Sequence, residues 1–164
     1  MKRLIVMRHA KSDWSSGAST DHARPLNERG RREAPITAAR LARLGWAPER
    51  VGSSDSQRTR ETLELALPHW PGAVVSYHHE LYFAGAEVVR KLGESLPDEV
   101  CTWLVLGHNP GWEELVEELG GRSIALKTSY AAMLVSGAST WAEAFARGAD
   151  WTLERVLGPK DHDA

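Results

Sequence analysis

The sequence predicts an α/β fold, a three-layer α/β/α sandwich around a mostly parallel central sheet. Two observations carry that expectation. Short β-rich apolar runs alternate with longer helical patterns four times along the chain, the order that crossovers between parallel strands require. At 164 residues the chain also has the size of one domain, long enough to bury a proper hydrophobic core. We expect a single domain over residues 1–158 and a frayed tail over residues 159–164, with no linker, repeat or low-complexity segment.

The elements follow in order. LIVM (residues 4–7) reads as a compact buried strand, and a polar, Gly/Ser-rich loop runs from residue 11 to about residue 25. Asn27 caps a helix through ERGRREAPITAARLARLG, with Ile36, Leu41 and Leu44 supplying apolar contacts and Gly45 ending it. Pro35 removes a backbone donor and predicts a kink or an irregular first part. RVGSS (50–54) is a strand leading into the helix SQRTRETLELAL, which Pro68 stops. AVVSY (73–77) is a third strand, followed by HHELYFAG and a helix near residues 87–95. CTWLVLG (101–107) is the clearest strand, and HNPGWEELVEELG opens a helix with Pro110 in its first turn. AAMLVS and WTLERVL are two weaker strands around a turn or short helix near residues 141–145.

Composition narrows the classes. The 42% apolar and 26% charged content is that of an ordinary globular protein. A net charge of −2 argues against a general grip on nucleic acid. The one cysteine, Cys101, forbids an intrachain disulfide and is expected as a buried, inert thiol in a reducing compartment. The run at residues 4–7 is shorter than the ~7 residues of a signal-peptide core, and Arg8 interrupts it. No window approaches the ~18 apolar residues of a membrane span. A cytoplasmic protein with no membrane or nucleic-acid partner is expected; its oligomeric state is not set by the sequence.

In an open α/β sheet, ligands sit in the crevice beyond the carboxyl ends of the strands. Arg8 and His9 follow the first strand. Ser53 and Ser54 close the second, with Arg58 in the first turn of the next helix. His78, His79 and Glu80 follow the third, and Gly107, His108 and Asn109 the fourth. Singly, each has a bland explanation: a surface ion pair, a structural histidine, a solvated carboxylate. Together on one sheet edge they suit a phosphoryl group. Two guanidiniums can pair with phosphate oxygens. A cationic histidine and the helix N-terminus at residues 109–111 add donors. A second, neutral histidine can attack phosphorus, and a rim carboxylate can serve as acid and then base.

At these residues the sequence resembles the histidine phosphatase superfamily, in particular its short SixA-like phosphohistidine phosphatase branch. The resemblance rests on RHAKSDW (8–14), DHARPLNERG (21–30), SSDSQRTRET (53–62), HELYFAG (79–85) and LGHNPG (106–111), in the family's order. It implies that His9 is the nucleophile, that Arg8 and Arg58 bind the phosphoryl group and that His108 donates to its oxygens. Arg58 fits better than Arg60 because the family spaces Ser, Arg and Thr by four, as in Ser54, Arg58 and Thr62. Glu80 takes the place of the acid, in a loose part of the pattern. Asn109 is assigned to the phosphate-binding set, and Arg24 either reaches the rim or makes a structural ion pair with Asp21 or a neighbour. Position 10 is alanine where the superfamily's commonest form has glycine, which permits close backbone approach; SixA-like members often carry alanine.

The implied activity is that of a metal-independent phosphatase without cofactor. Residues 11–25 and 141–150 are the only sequence to spare for covering the site, so an open site and a phosphohistidine on a partner protein are expected. Two alternatives stay open: a phosphatase of small phosphate monoesters, and a catalytically weak module that binds phosphoproteins in the same pocket. A metallohydrolase built on His9, Asp13, Asp21, Glu80 and His108 lacks HExxH or similar spacing. Imidazole leaves with a conjugate-acid pKa of about 6.5, so an acid at Glu80 would matter more for alkyl phosphates. Trp46, Trp103 and Trp151 are expected to pack; Trp14 and Trp112, each shortly after a candidate histidine, either wall the pocket or pack.

Overall fold

Strand β1 (Lys2–Arg8) alternates between two cores. Leu4 and Val6 enter one and Ile5 and Met7 the other, the period-two pattern of a strand covered on both faces. The computed structural model describes residues 1–160, and residues 161–164 of the expected tail lie outside them. After β1 come α1 (Glu28–Arg43), β2 (Arg50–Ser54), α2 (Gln57–Ala66), a 3-10 turn (Leu67–His69) and β3 (Val74–His78). A second 3-10 turn (His79–Tyr82), α3 (Ala86–Glu94), β4 (Thr102–Gly107), α4 (Gly111–Gly120), β5 (Ala131–Ser136), α5 (Trp141–Ala144) and β6 (Trp151–Leu157) complete the order.

The sheet runs β3-β2-β4-β1-β5-β6. The β2–β3, β2–β4 and β1–β4 pairings are parallel, and β5 and β6 extend the sheet antiparallel. Side chains of α1 and α2 fill the core holding Ile5, Met7 and Leu104, while α3, α4 and α5 cover Leu4, Val6 and Val105. Helices therefore flank a mostly parallel sheet in three layers. No helix of the described residues is long and apolar enough to cross a membrane.

Several local expectations need correction. Helix α1 starts as expected, with Asn27 Oδ1 accepting from Gly30 N at 2.8 Å, but its first part is regular and the helix runs on past Pro35 to Arg43. One lost donor is outweighed by packing on both sides of it, at Ala34, Thr37, Ala38 and Leu41. With Gly30, Glu33 and Arg40 these residues form the buried face, whereas Ile36 and Leu44 are 40% and 41% exposed. Cys101 is exposed rather than buried, because it precedes β4 at the open end of the sheet, where its N–H donates to Glu49 Oε1. Pro110 is the N-cap of α4, not its first helical residue.

Trp112 packs. It is fully buried, and its indole N–H donates to Val105 O at 3.2 Å. The ring lies so close to Gly107 that a Cβ there would sit 2.7 Å from it. Gly107→Ala is expected to destabilise the protein by about 1–3 kcal/mol through this overpacking, read as a lower urea midpoint with unchanged slope. An unchanged midpoint would show that the indole moves aside freely.

Candidate active site

Strands β1 and β4 are parallel, with Arg8 opposite Gly107. The residues that follow them, His9 and His108, therefore emerge side by side, with ring centroids 5.1 Å apart. On the other flank of β4, β2 places Ser53 opposite Leu106 and so brings Ser54 to His108. Ser56 caps α2 by accepting from Thr59 N, which puts Arg58 in the first turn and faces it to both histidines.

The His9 ring is held in one tautomer. Its Nδ1 lies 2.7 Å from Ala10 O, and a carbonyl only accepts, so Nδ1 carries the proton and Nε2 a lone pair. Arg58 Nε donates to that Nε2 at 3.3 Å. Burial pushes the His9 pKa well below its ordinary value; the Ala10 carbonyl opposes this, and His108, Arg58 and Arg8 reinforce it. Behind the ring, Ala10 N donates to Thr62 Oγ1 at 3.0 Å, and that hydroxyl donates to Arg58 O at 2.7 Å. One threonine thus ties the His9 loop to the helix carrying Arg58.

His108 Nε2 lies 2.9 Å from Ser54 Oγ, and Arg58 Nη2 donates to its Nδ1 at 3.3 Å. Burial first, then Arg58, push its pKa down to about 3. The expected cationic histidine is therefore neutral, and an anion that offsets the neighbouring positive charge favours its protonated form.

Arg8, His9, Arg24, Arg58, His108 and Asn109 line one cavity of about 230 Å³. Arg24 fulfils both of its expected roles. It lines the cavity while donating to Ser12 Oγ and, at 2.9 Å, to Asp21 Oδ1. Asp21 is the counter-ion that sequence reasoning left out of the pocket. Its Oδ2 accepts from Arg58 Nη2 at 3.1 Å and from the Tyr82 hydroxyl, and its carbonyl accepts from Arg58 Nη1 at 2.8 Å. The Tyr82 bond, aided by Arg24 and Arg58 against the cost of burial, holds the Asp21 carboxyl well below the usual range. Arg8 Nε and Arg24 Nε are buried without a hydrogen-bond partner among the described residues.

The segment after α4 was also missed. Leu126 O accepts from Arg8 Nη1 at 3.2 Å and from Asn109 Nδ2 at 2.8 Å, so Asn109 braces the wall as well as lining the cavity. Ser129 N donates to His9 O at 3.0 Å from a left-handed backbone with φ 67°. These contacts are made by backbone groups, which leave no residue-type signal. Trp14 is 75% exposed, lines the cavity and lies under Arg24, whose guanidinium carbon sits 3.6 Å from the ring centroid.

Glu80 does not join the site. In a 3-10 turn residues i and i+3 share a face, so His79 and Tyr82 stack together while Glu80 turns elsewhere. Its carboxylate is 3.8 Å from His78 Nδ1 and half exposed, and it lines a different cavity with Val88 and Leu92.

The profile of the histidine phosphatase superfamily (branch 1) matches residues 4–82. An uncharacterized chloroplastic protein of Arabidopsis thaliana is 36% identical over 170 residues, covering 96% of this chain and 78% of that protein. SixA from Agrobacterium tumefaciens superposes with a TM-score of 0.80 at 28% identity, over 95% of this chain and 97% of that one. The protein histidine phosphatase SixA complexed with tungstate gives 0.81 at 25% identity, over 96% and 97%. The fold is that of a phosphatase-class hydrolase. The chain belongs to the histidine phosphatase superfamily, among its SixA-like members.

Two outcomes follow from the site. Binding of sulfate is expected to take up about one proton per site near pH 6, because His108 is neutral in the free pocket and protonates beside a dianion; affinity then falls as pH rises. Calorimetry in buffers of different ionisation enthalpy reads this, and His108→Asn should abolish it. Glu80→Gln is expected to leave hydrolysis of any phosphoryl substrate within about twofold of wild type; a large loss in steady-state kinetics would return Glu80 to the chemistry.

Proposed function

We propose that the chain removes phosphoryl groups from phosphohistidine on a partner protein, through a covalent phosphohistidine on His9. His9 Nε2 attacks phosphorus in line while Arg8, Arg24 and Arg58 neutralise the equatorial oxygens. His108, which takes a proton from solvent onto Nδ1 as the dianion arrives, donates to one of them. The substrate's P–N bond breaks and its imidazole leaves as a neutral ring, the second ring nitrogen having taken a proton from solvent. Water then attacks the phospho-His9, releasing phosphate and restoring the neutral imidazole. The guanidiniums supply the charge neutralisation, and no step requires a metal.

The observation that carries the substrate class is that, among the described residues, neither Glu80 nor Asp21 is a carboxylic acid placed to protonate a leaving alkoxide. Glu80 faces another cavity, and Asp21 is held as a carboxylate by Tyr82, Arg24 and Arg58. An alkyl phosphate must expel a strongly basic alkoxide and so depends on general acid catalysis, which contributes about 10²–10⁴-fold. Imidazole, with a conjugate-acid pKa of about 6.5, does not. The exposed Trp14 and Phe83, 75% and 81% accessible, leave the rim open for a side chain presented on a protein surface.

Brief incubation with a phosphohistidine peptide should give an acid-labile phosphoenzyme that is absent in His9→Asn. Wild type should hydrolyse that peptide with kcat/KM at least about a hundredfold above that for alkyl phosphate monoesters. A preference for a small monoester would favour a metabolite phosphatase, and binding without label would favour a phosphoprotein-binding module.

A further inference from the structure

We propose that His22, Asp55 and His79 form a binding site for a divalent transition metal of the zinc class, beside the phosphoryl pocket and separate from it. The donors come from three segments: the loop before α1, the β2–α2 turn and the 3-10 turn after β3. His22 Nε2 lies 2.8 Å from Asp55 Oδ1. His79 Nδ1 lies 3.1 Å from Oδ1 and 3.0 Å from Oδ2. One donor atom from each residue falls within 4.8 Å of the others. Tetrahedral zinc with ligands at about 2.0–2.2 Å needs donor separations of about 3.3–3.6 Å, so small side-chain rotations seat the cation.

The frame around the donors is already set. Gln57 N donates to His22 O at 2.9 Å, and Arg60 Nε donates to Asp55 O at 2.9 Å. The Tyr82 ring meets His22 edge-on at 5.0 Å and stacks on His79 at 6.1 Å. The side chains of His22, Asp55 and His79 are 38%, 23% and 67% exposed, which gives a cation an entry and water a fourth position. A contact from a side chain as exposed as His79 contributes little to stability, so its place on an already paired carboxylate is not accounted for by fold stability alone. Two imidazoles and a carboxylate suit zinc, cobalt, nickel or copper, whereas magnesium and calcium prefer all-oxygen sets. On binding, each ring offers the nitrogen that faces Asp55 and carries its proton on the other, Nδ1 of His22 and Nε2 of His79. An occupied site ties the loop bearing Asp21 to the turn bearing Tyr82 and so braces the groups that hold Arg58.

The test uses untagged protein stripped of metal and dialysed against Zn²⁺ or Co²⁺. About one Zn²⁺ per chain is expected by elemental analysis, with Co²⁺ giving the visible bands of a four-coordinate nitrogen–oxygen site. Both signals should vanish in His22→Ala and in His79→Ala, and in Asp55→Asn, which keeps the side chain's shape. They should persist in His78→Ala, and circular dichroism without metal checks that each variant is folded. Lack of stoichiometric binding overturns the proposal. So does binding that survives in the folded triad variants and disappears in His9→Ala, which would place the metal on the His9–His108 pair. Metal content and spectrum do not depend on phosphatase turnover, so this proposal and the phosphohistidine one fail separately.

Discussion

The in-register parallel pairing of β1 with β4 is the constraint on which the site depends. Two chain segments a hundred residues apart end opposite one another, Arg8 against Gly107, and each then delivers a histidine. The pairing is rigid because both strands are covered on both faces: β4 is buried along its whole length, and the β1 side chains between Leu4 and Met7 are fully enclosed. Side chains on rigid elements hold their geometry better than side chains on loops. The strict approach of Gly107 to Trp112 belongs to the same device, since it seats α4 directly beneath the strand end that presents His108.

Arg58 is the electrostatic centre built on that frame. Its three nitrogens reach His9, His108 and Asp21, so one side chain spans both histidines and their counter-ion. Concentrating Arg8, Arg24 and Arg58 around a small cavity is costly without an anion, and Asp21 offsets part of that cost. Burial, reinforced by the neighbouring guanidiniums, keeps both histidines neutral. A neutral His9 is what the proposed nucleophilic attack requires, and the proposed donor role of His108 requires a bound dianion.

Much of this was legible in the sequence, for a topological reason. An apolar run that ends in polar residues marks the carboxyl end of a strand, and in an α/β sheet those ends converge. That rule alone brings Arg8, His9, Arg58, His108 and Asn109 to one place. It fails where position depends on local winding or on backbone groups. Glu80 was misplaced because a 3-10 turn, with about three residues per turn, presents His79 and Tyr82 on the same face. The wall formed by Leu126 and Ser129 acts through its carbonyl and N–H, and Ser129 adopts a left-handed backbone without the glycine or asparagine that usually announces one. Asp21 sat inside a motif, yet its pairing with Arg58 crosses 37 residues, a separation that periodicity does not encode.

Trp14 carries a consequence of a different kind. Every other tryptophan is buried, whereas this indole is open to water and covered on one face by the Arg24 guanidinium. An anion entering the cavity competes for that same guanidinium and alters the surroundings of a single solvent-facing indole. The protein thereby contains its own optical gauge of pocket occupancy.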